Sequence, residues 1–236
     1  LQNTKAKKYT YALKQYADYK TQILENQFGG LLLKVDDNEV WTRLIGNFNA
    51  YNVLSIYATA ELLGLEKVEI LRLISDLESV SGRFQYVVSD EKITAIIDYA
   101  HTPDAVERAI ASVKTFTTGR LIGILGCGGD RDTSKRSLMG KALQDGADVA
   151  IYTSDNPRSE KADAILVQMT LGLEIHEPSA VIEDRADAIR AAVNEAQEGD
   201  VVLVLGKGHE KGQEINGVVH PFDDRIELAK AIEDKK

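Results

Sequence analysis

From about residue 95 onward, short apolar runs alternate with stretches in which apolar residues recur every three or four positions. The apolar runs cover residues 95–97, 121–125, 149–153, 180–182 and 201–205. The helical spacing is carried by Val106, Ala109, Ile110 and Val113, by Ala162, Ile165, Leu166 and Met169, and by Ile189, Ala192, Val193 and Ala196. Continuous apolar strands separated by helices are typical of a parallel sheet covered on both faces. The pattern therefore predicts an α/β domain with a mostly parallel sheet, closed by a last helix at about 224–232.

The first 80 residues follow a different pattern, with a hairpin and then two helices. Residues 30–35 and 39–45 flank the turn Asp36-Asp37-Asn38, which predicts a β-hairpin. The apolar positions that define the helices are Val53, Ile56, Tyr57 and Ala60 in the first, and Val68, Leu71, Ile74 and Leu77 in the second. Asn49 is placed to cap the first helix and Gly64 to end it.

A linker is predicted at Ser79-Val80-Ser81-Gly82, where small and turn-forming residues cluster. It divides the chain into residues 1–80 and residues 82–236. A single hairpin is too small to form a hydrophobic core by itself, so residues 1–80 could be the edge of a larger domain.

Acidic residues outnumber basic ones in this chain of 236 residues, with 37 Asp and Glu against 28 Lys and Arg and a net charge of −9. Proteins that coat nucleic acid or adhere to anionic lipid need a basic face. The longest apolar runs have about six residues, far fewer than the ~20 that span a bilayer. The single cysteine, Cys127, excludes an internal disulfide framework and a zinc site built from cysteines. We therefore expect neither nucleic acid nor a membrane as a partner.

Polar or glycine-rich clusters directly follow four of the five predicted strands, at residues 98–104, 126–132, 155–158 and 206–210. Ligands of open α/β sheets bind beyond the carboxyl ends of the strands, which meet at one edge. Each cluster alone could simply provide turns and helix caps. Their expected convergence on one edge favours a binding site.

The cluster at 126–132 combines glycines with an arginine. Its glycines let the backbone approach a ligand closely, but their spacing is not that of a dinucleotide fingerprint. Arg131 could clamp a carboxylate or phosphate, or it could pair with a surface acid. Cys127 is expected to be a small buried residue rather than a nucleophile.

The cluster at 155–158 reads Asp155-Asn156-Pro157-Arg158. Pro157 stiffens the loop, and a stiff loop that presents an amide and a guanidinium suits a ligand with a carboxylate. The alternative is a helix N-terminus that Asn156 or Ser159 caps, with Arg158 in solvent.

In the cluster at 206–210, Glu210 could bind a ligand ammonium, whereas Lys207 and His209 are expected to shape the loop. Lys207 is followed by glycine, so the segment is not a phosphate loop. Asp98 and His101 lie where a nucleotide's ribose and its base or phosphate would be. No metal site with protein-only spacing is visible.

Six motifs in order, at residues 46–52, 81–83, 98–104, 126–132, 155–158 and 206–210, give the chain a family resemblance. From about Gly46 onward it resembles the Mur ligases of bacterial peptidoglycan synthesis, and within them the branch that adds meso-diaminopimelate. The resemblance implies the C-terminal part of a central ATPase domain at 1–80. It also implies a complete Rossmann-like, amino-acid-binding domain at 82–236. The P-loop, a modified lysine and the Mg²⁺ ligands of the family would lie upstream, so this chain alone is expected to be inactive.

The resemblance further implies an ATP-dependent amide ligase of the bacterial cytoplasm. ATP would phosphorylate the D-glutamate carboxylate of UDP-N-acetylmuramoyl-L-alanyl-D-glutamate, with Mg²⁺ as cofactor. The amine of meso-diaminopimelate would then attack the acyl phosphate. The enzyme's part would be mostly positioning and charge neutralisation.

The resemblance also implies roles for individual residues. Asp155-Asn156-Pro157-Arg158 matches the motif for meso-diaminopimelate, and lysine-adding relatives lack its arginine. Arg158 would neutralise the second carboxylate, with hydrogen bonds from Arg131 and Asn156, while Glu210 and the Gly206 backbone would hold the distal ammonium. For ATP, Asn49 would contact adenine, Arg83 the phosphates, and Asp98 and His101 the ribose and phosphate region. No residue is assigned as catalytic or as a metal ligand.

Two other functions are open from the sequence. One is another ligase of the superfamily, such as a folylpolyglutamate synthetase, which shares the fold but not the Asp-Asn-Pro-Arg run. The other is a binding module without catalysis, which the missing P-loop favours for the chain as it stands.

Overall fold

The computed structural model describes residues 4–88 and 93–235, which form two compact units divided between Ser79 and Val80. This division falls in the predicted linker. The assignment of the first unit to a central ATPase domain stays a prediction.

The first unit contains a four-stranded sheet and two helices. Its strands β1 (Tyr11–Ala12), β2 (Tyr19–Gln27), β3 (Gly30–Val35) and β4 (Asn38–Thr42) lie in this order across the sheet. The predicted hairpin is β3–β4, with Asp36 in the left-handed region at φ 51°. Strands β1 and β2 were not predicted, because most side chains of β2 are exposed or half-buried and leave no apolar run.

Helices α1 (Asn47–Leu62) and α2 (Lys67–Ser75) pack on this sheet, and the sequence was wrong on two details. Gly46, not Asn49, is the N-cap of α1, and the buried Asn49 lies in the first turn, where its Nδ2 donates to the Ile45 carbonyl at 2.7 Å. In α2 the fully buried residues are Ile70 and Ile74. Of the predicted apolar positions, Ile74 is buried and Leu71 and Leu77 pack partly buried against the same core, whereas Val68 is 81% exposed. The helix is apolar on several sides, so periodicity alone did not decide which side is buried.

The second unit is the predicted α/β domain. Its six strands are β5 (Gln85–Val88), β6 (Thr94–Asp98), β7 (Leu121–Cys127), β8 (Val149–Ser154), β9 (Ala180–Val181) and β10 (Val201–Leu205). They lie in the order β5-β6-β10-β7-β8-β9, and all neighbouring pairs are parallel except β5 with β6. The mostly parallel sheet is therefore confirmed, and it places the carboxyl ends of β6, β10, β7 and β8 side by side.

In the described part of this unit, five helices cover the sheet: α3 (Pro103–Lys114), α4 (Ser134–Gly146), α5 (Ala162–Met169), α6 (Arg185–Glu195) and α7 (Asp224–Asp234). Four of them were predicted, and α4 was not. Its Gly140 argues against a helix, yet a Cβ there would lie 1.9 Å from the Met169 carbonyl oxygen. The glycine therefore allows α4 to pack directly on the end of α5.

A small hairpin, β11 (Gly212–Ile215) and β12 (Val218–Pro221), was also not predicted. It follows the glycine-rich segment after β10, and its second strand is exposed. Among the described helices, none is long and apolar enough to cross a bilayer.

Candidate ligand site at the carboxyl edge of the sheet

A cavity of about 490 Å³ opens where β6, β7, β8 and β10 end. Each of the four predicted clusters contributes to its wall, among others through His101, Arg131, Asn156, Arg158, Gly206 and Glu210. The parallel strands thus bring together side chains that are more than 100 positions apart in the sequence.

Glycines allow the loops around the cavity to touch. Gly129 donates its N–H to the Asn156 carbonyl at 2.8 Å, and a Cβ on Gly129 would lie 1.9 Å from the Pro157 carbonyl oxygen. Gly206 has φ 111°, which favours glycine, and a Cβ there would lie 3.0 Å from the Asp155 carboxylate. The absence of a side chain at Gly129 and Gly206 therefore allows their loops to pack against the loop at 155–158, whether or not a ligand also contacts these glycines.

Arg158 is fixed in the cavity wall rather than free in solvent. Its Nη1 donates to the Gly129 carbonyl at 2.7 Å, and its Nε lies 3.3 Å from the Glu214 carboxylate. Helix α5 has Lys161 at its N-cap, so the alternative in which Asn156 or Ser159 caps a helix is wrong. A guanidinium has five N–H donors, so these two partners leave donors for a ligand.

Asn156 and Glu210 form one polar patch in the wall of the cavity that Arg158 also lines. The Asn156 Nδ2 donates to Glu210 Oε2 at 2.7 Å, and the Asn156 Oδ1 accepts from the Glu214 amide at 2.9 Å. The fully buried Lys207 places its Nζ 3.0 Å from Asn156 Oδ1, 3.3 Å from Glu210 Oε2 and 3.4 Å from Asp155 Oδ1. Burial raises the pKa of Asp155, an effect that Arg185 and Lys207 oppose.

Arg131 also lines the cavity and is exposed. Within residues 4–88 and 93–235 it makes no hydrogen bond or ion pair, so the alternative role as a partner of a surface acid is not observed. Its guanidinium is available to an anionic ligand.

Arg136 lies in α4 and was not identified from the sequence. It holds the glycine-rich loop at 126–132, which is called the glycine loop below. It donates to both carboxylate oxygens of Glu160 at 2.7 Å and to the Gly128 carbonyl at 3.1 Å, with its side chain 2% exposed. Its hydrogen bonds lower the pKa of Glu160 to about 2. Because α4 was not predicted, nothing in the sequence pattern marked this arginine as buried.

Cys127 is buried, as expected, and burial raises the pKa of its thiol to about 12. It is therefore a thiol, not a nucleophilic thiolate, at neutral pH.

The residues expected at a nucleotide lie in both units: Asn49 in the first, and Arg83, Asp98 and His101 in the second. The Asp98 carboxylate accepts backbone N–H groups from Phe84 and Ala100, both at 2.9 Å, and burial raises its pKa. The Arg83 guanidinium lies over the Tyr99 ring at 4.7 Å. Their roles toward ATP stay predictions.

The described residues contain no Mg²⁺ site that is built from protein side chains alone. In residues 4–88 and 93–235, no three His, Cys, Asp or Glu side chains form a group that could hold a metal ion. We therefore assign no Mg²⁺ ligand to this chain.

The fold and the cavity define a class: an open α/β domain with a candidate site for a small, charged ligand at the carboxyl edge of its sheet. The family model described as "Mur ligase, glutamate ligase domain" matches residues 82–208, more than half of the chain. The chain therefore belongs to the Mur ligase family.

Curated relatives share the name UDP-N-acetylmuramoyl-L-alanyl-D-glutamate–2,6-diaminopimelate ligase. The protein from Cytophaga hutchinsonii is 46% identical over 96% of this chain, and the one from Geobacillus thermodenitrificans is 40% identical over 96%. Both alignments cover 47% of the relative. The chain thus spans about half the length of the curated relatives it matches.

Solved structures agree with this placement. A structure of a ligase with the same name is 38% identical, with a TM-score of 0.69, over 96% of this chain and 48% of the other. A UDP-N-acetylmuramate-alanine ligase from Thermotoga maritima has a TM-score of 0.65 at 20% identity, over 96% of this chain and 47% of the other. The latter likeness shows the fold alone.

Proposed function

We propose that this chain is the amino-acid-binding part of an ATP-dependent ligase of the bacterial cytoplasm. The ligase would join meso-diaminopimelate to UDP-N-acetylmuramoyl-L-alanyl-D-glutamate in peptidoglycan precursor synthesis. The observation that carries the proposal is Arg158, held in the cavity wall beside Asn156 and Glu210. Eight curated relatives with this name, 40–47% identical to the chain, support it.

The ligand chemistry matches this wall. The distal carbon of meso-diaminopimelate carries a carboxylate and an ammonium, whereas that of L-lysine carries only the ammonium. Arg158 and Arg131 supply cationic N–H donors for the carboxylate, and the Asn156 Nδ2 adds a neutral one. Glu210 and the Gly206 carbonyl would accept from the ammonium.

The reaction forms an amide by way of an acyl phosphate. ATP transfers its γ-phosphoryl group to the D-glutamate carboxylate, leaving ADP. The free amine of meso-diaminopimelate then attacks the acyl carbon, the C–O bond to phosphate breaks, and the attacking nitrogen loses a proton. The residues of this cavity would bind and orient the amine, which lowers the entropic barrier to attack.

Apart from His101, which lines the same cavity, the residues expected at the nucleotide are not among those that line the wall for the amino acid. We propose that Asn49 contacts adenine, Arg83 the phosphates, and Asp98 and His101 the ribose and phosphate region. Mg²⁺ would neutralise phosphate charge when bound, but the described residues hold no group of three or more His, Cys, Asp or Glu side chains for a metal ion, so no step is assigned through it.

The test measures the rate of amide formation with meso-diaminopimelate or L-lysine as the acceptor. The enzyme is the protein expressed from the gene that encodes this chain. Arg158→Gln should lower kcat/KM for meso-diaminopimelate about 10- to 100-fold, the loss expected for a hydrogen-bonded charge. The KM for ATP should change little. Arg190→Gln, an exposed arginine of α6 paired with Asp187, is the control. Equal kinetics for wild type and Arg158→Gln would contradict the assignment.

A further inference from the structure

Lys207 is a buried cation that does not line the cavity but touches residues that do. Its side chain is 0% exposed, and its Nζ lies within 3.4 Å of acceptors on Asp155, Asn156 and Glu210. All three of those residues line the cavity. A buried lysine is rare unless it is paired, and the three neighbours are the groups through which Lys207 can affect the hydrogen-bonding geometry of the cavity wall.

The direction of the Asn156 amide is set by its partners. Its Oδ1 faces two groups that can only donate, the Lys207 ammonium at 3.0 Å and the Glu214 amide N–H at 2.9 Å. Its Nδ2 faces the Glu210 carboxylate, which only accepts when ionised, at 2.7 Å. If the amide were reversed, its NH₂ group would face the two donors, Lys207 and the Glu214 N–H. Its oxygen would face the Glu210 carboxylate, which is an acceptor.

The fixed direction determines what the wall offers to a ligand. One N–H of Nδ2 is used by Glu210, and the second has no acceptor among residues 4–88 and 93–235, so a ligand in the cavity can accept from it. Glu210 is restrained as well, because its Oε2 accepts from both Asn156 and Lys207. An N–H donor and a carboxylate are thus held side by side.

We propose that Lys207 is the positioning residue for this pair: by fixing the Asn156 amide, it makes this wall recognise a carboxylate next to an ammonium on one carbon. The proposal rests on the proposed function, since it names the residue that sets the acceptor preference of the same site.

The test is calorimetric titration of this chain with meso-diaminopimelate and with L-lysine. Lys207→Met should weaken meso-diaminopimelate binding about 10- to 100-fold, as loss of an oriented hydrogen bond to a charge does. It should weaken L-lysine binding less, so the preference between the two ligands falls. Lys207→Arg, which keeps a buried donor, should restore part of that preference. Lys211→Met, an exposed lysine four positions away, should bind like wild type.

A general loosening of the site would lower both affinities together and leave the preference intact, and that outcome would overturn the proposal. Should Lys207→Met fail to fold, Asn156→Asp replaces it. That variant keeps an acceptor for Lys207 and the Glu214 amide but exchanges the Nδ2 donor for an oxygen. Unchanged binding of meso-diaminopimelate by Asn156→Asp would also overturn the proposal. If wild type shows no preference for meso-diaminopimelate, the proposed function fails instead.

Discussion

At the scale of single residues, Arg136 and Glu160 hold the glycine loop against the loop after β8. Arg136 bonds both oxygens of Glu160, which also accepts the Asp130 amide at 2.6 Å. The pKa of Glu160 falls from its usual 4.5 to about 2 as a result. The ionised form is therefore favoured in the folded state.

A folded-state pKa below the unfolded one gives stability that is present above the unfolded pKa and is lost as the pH falls through the folded pKa. The stability advantage of wild type over Glu160→Gln should therefore be full above about pH 4.5 and shrink toward about pH 2. Urea unfolding followed by circular dichroism at several pH values measures this. Glu107→Gln, exposed on α3, is the control, and a constant difference between wild type and Glu160→Gln across this range would refute the prediction.

Gly129 is a second residue whose role is steric. A methyl group there would meet the Pro157 carbonyl, so Gly129→Ala must push the two loops apart. We expect about 1–3 kcal/mol of destabilisation, as for other overpacked sites, together with weaker ligand binding. Gly29→Ala, where the new Cβ would meet only the Trp41 ring at 3.6 Å, should be close to neutral in thermal unfolding. Equal melting temperatures for both variants would contradict this.

The sequence analysis found residues that line the cavity but not the buried lysine that contacts them. Arg131, Asn156, Arg158 and Glu210 follow strand ends, and strand ends can be predicted from apolar runs. Lys207 was expected only to shape its loop. Its burial depends on acceptors up to 52 positions away, which no local pattern reveals.

At the scale of elements, a buried ion pair and its hydrogen bonds connect helices α6 and α7 with strands β8 and β10. Arg185 at the start of α6 pairs with Asp224 of α7 at 2.7 and 2.8 Å, and it donates to the carbonyl groups of Leu205 and Ser154 at the ends of β10 and β8. Both side chains are fully buried. The pair thus fixes helices against the strand ends that carry the ligand loops.

Removing one partner of a buried pair leaves an uncompensated charge, so Arg185→Met should lower the free energy of unfolding by about 3–5 kcal/mol. Adding Asp224→Leu should recover part of this loss, because the stranded carboxylate is then gone. Recovery should be incomplete, since the Leu205 carbonyl keeps no donor from Arg185. Strictly additive losses in a double-mutant cycle, measured by urea unfolding, would show that the two residues are not coupled.

The elements that could be predicted were those with an apolar pattern of their own. The strand at 201–205 was predicted to the residue, and four helices of the α/β domain were found. Helix α4 and the hairpin β11–β12 were missed because both depend on partners. The hairpin lies against the loop after β8, where Gln213 donates to the Ser154 hydroxyl and the Asp155 carbonyl at 2.9 and 2.8 Å.

At the scale of the whole molecule, the charge of the cavity wall differs in sign from the net charge of the chain. The chain has a net charge of −9, yet the cavity is lined by four cationic side chains, Arg131, Lys135, Arg136 and Arg158, against three carboxylates. The proposed ligand with two carboxylates would therefore meet cations gathered at one edge of one sheet, despite the acidic total.

All residues that line this cavity lie in the second unit. Residues 80–236 expressed alone should therefore bind meso-diaminopimelate within about threefold of the affinity of the whole chain, a difference below ~0.7 kcal/mol. Calorimetry on both proteins tests this. A large loss in the shorter protein would mean that the first unit contributes to binding.

The central claim is that Arg158 makes this cavity a site for an amino acid with a second carboxylate. The most direct measurement is calorimetric titration of wild type and Arg158→Gln with meso-diaminopimelate and L-lysine. Wild type should prefer meso-diaminopimelate at least about tenfold, and Arg158→Gln should lose that preference while keeping its fold. Equal affinity of wild type for the two ligands, or a preference that survives in Arg158→Gln, would contradict the claim.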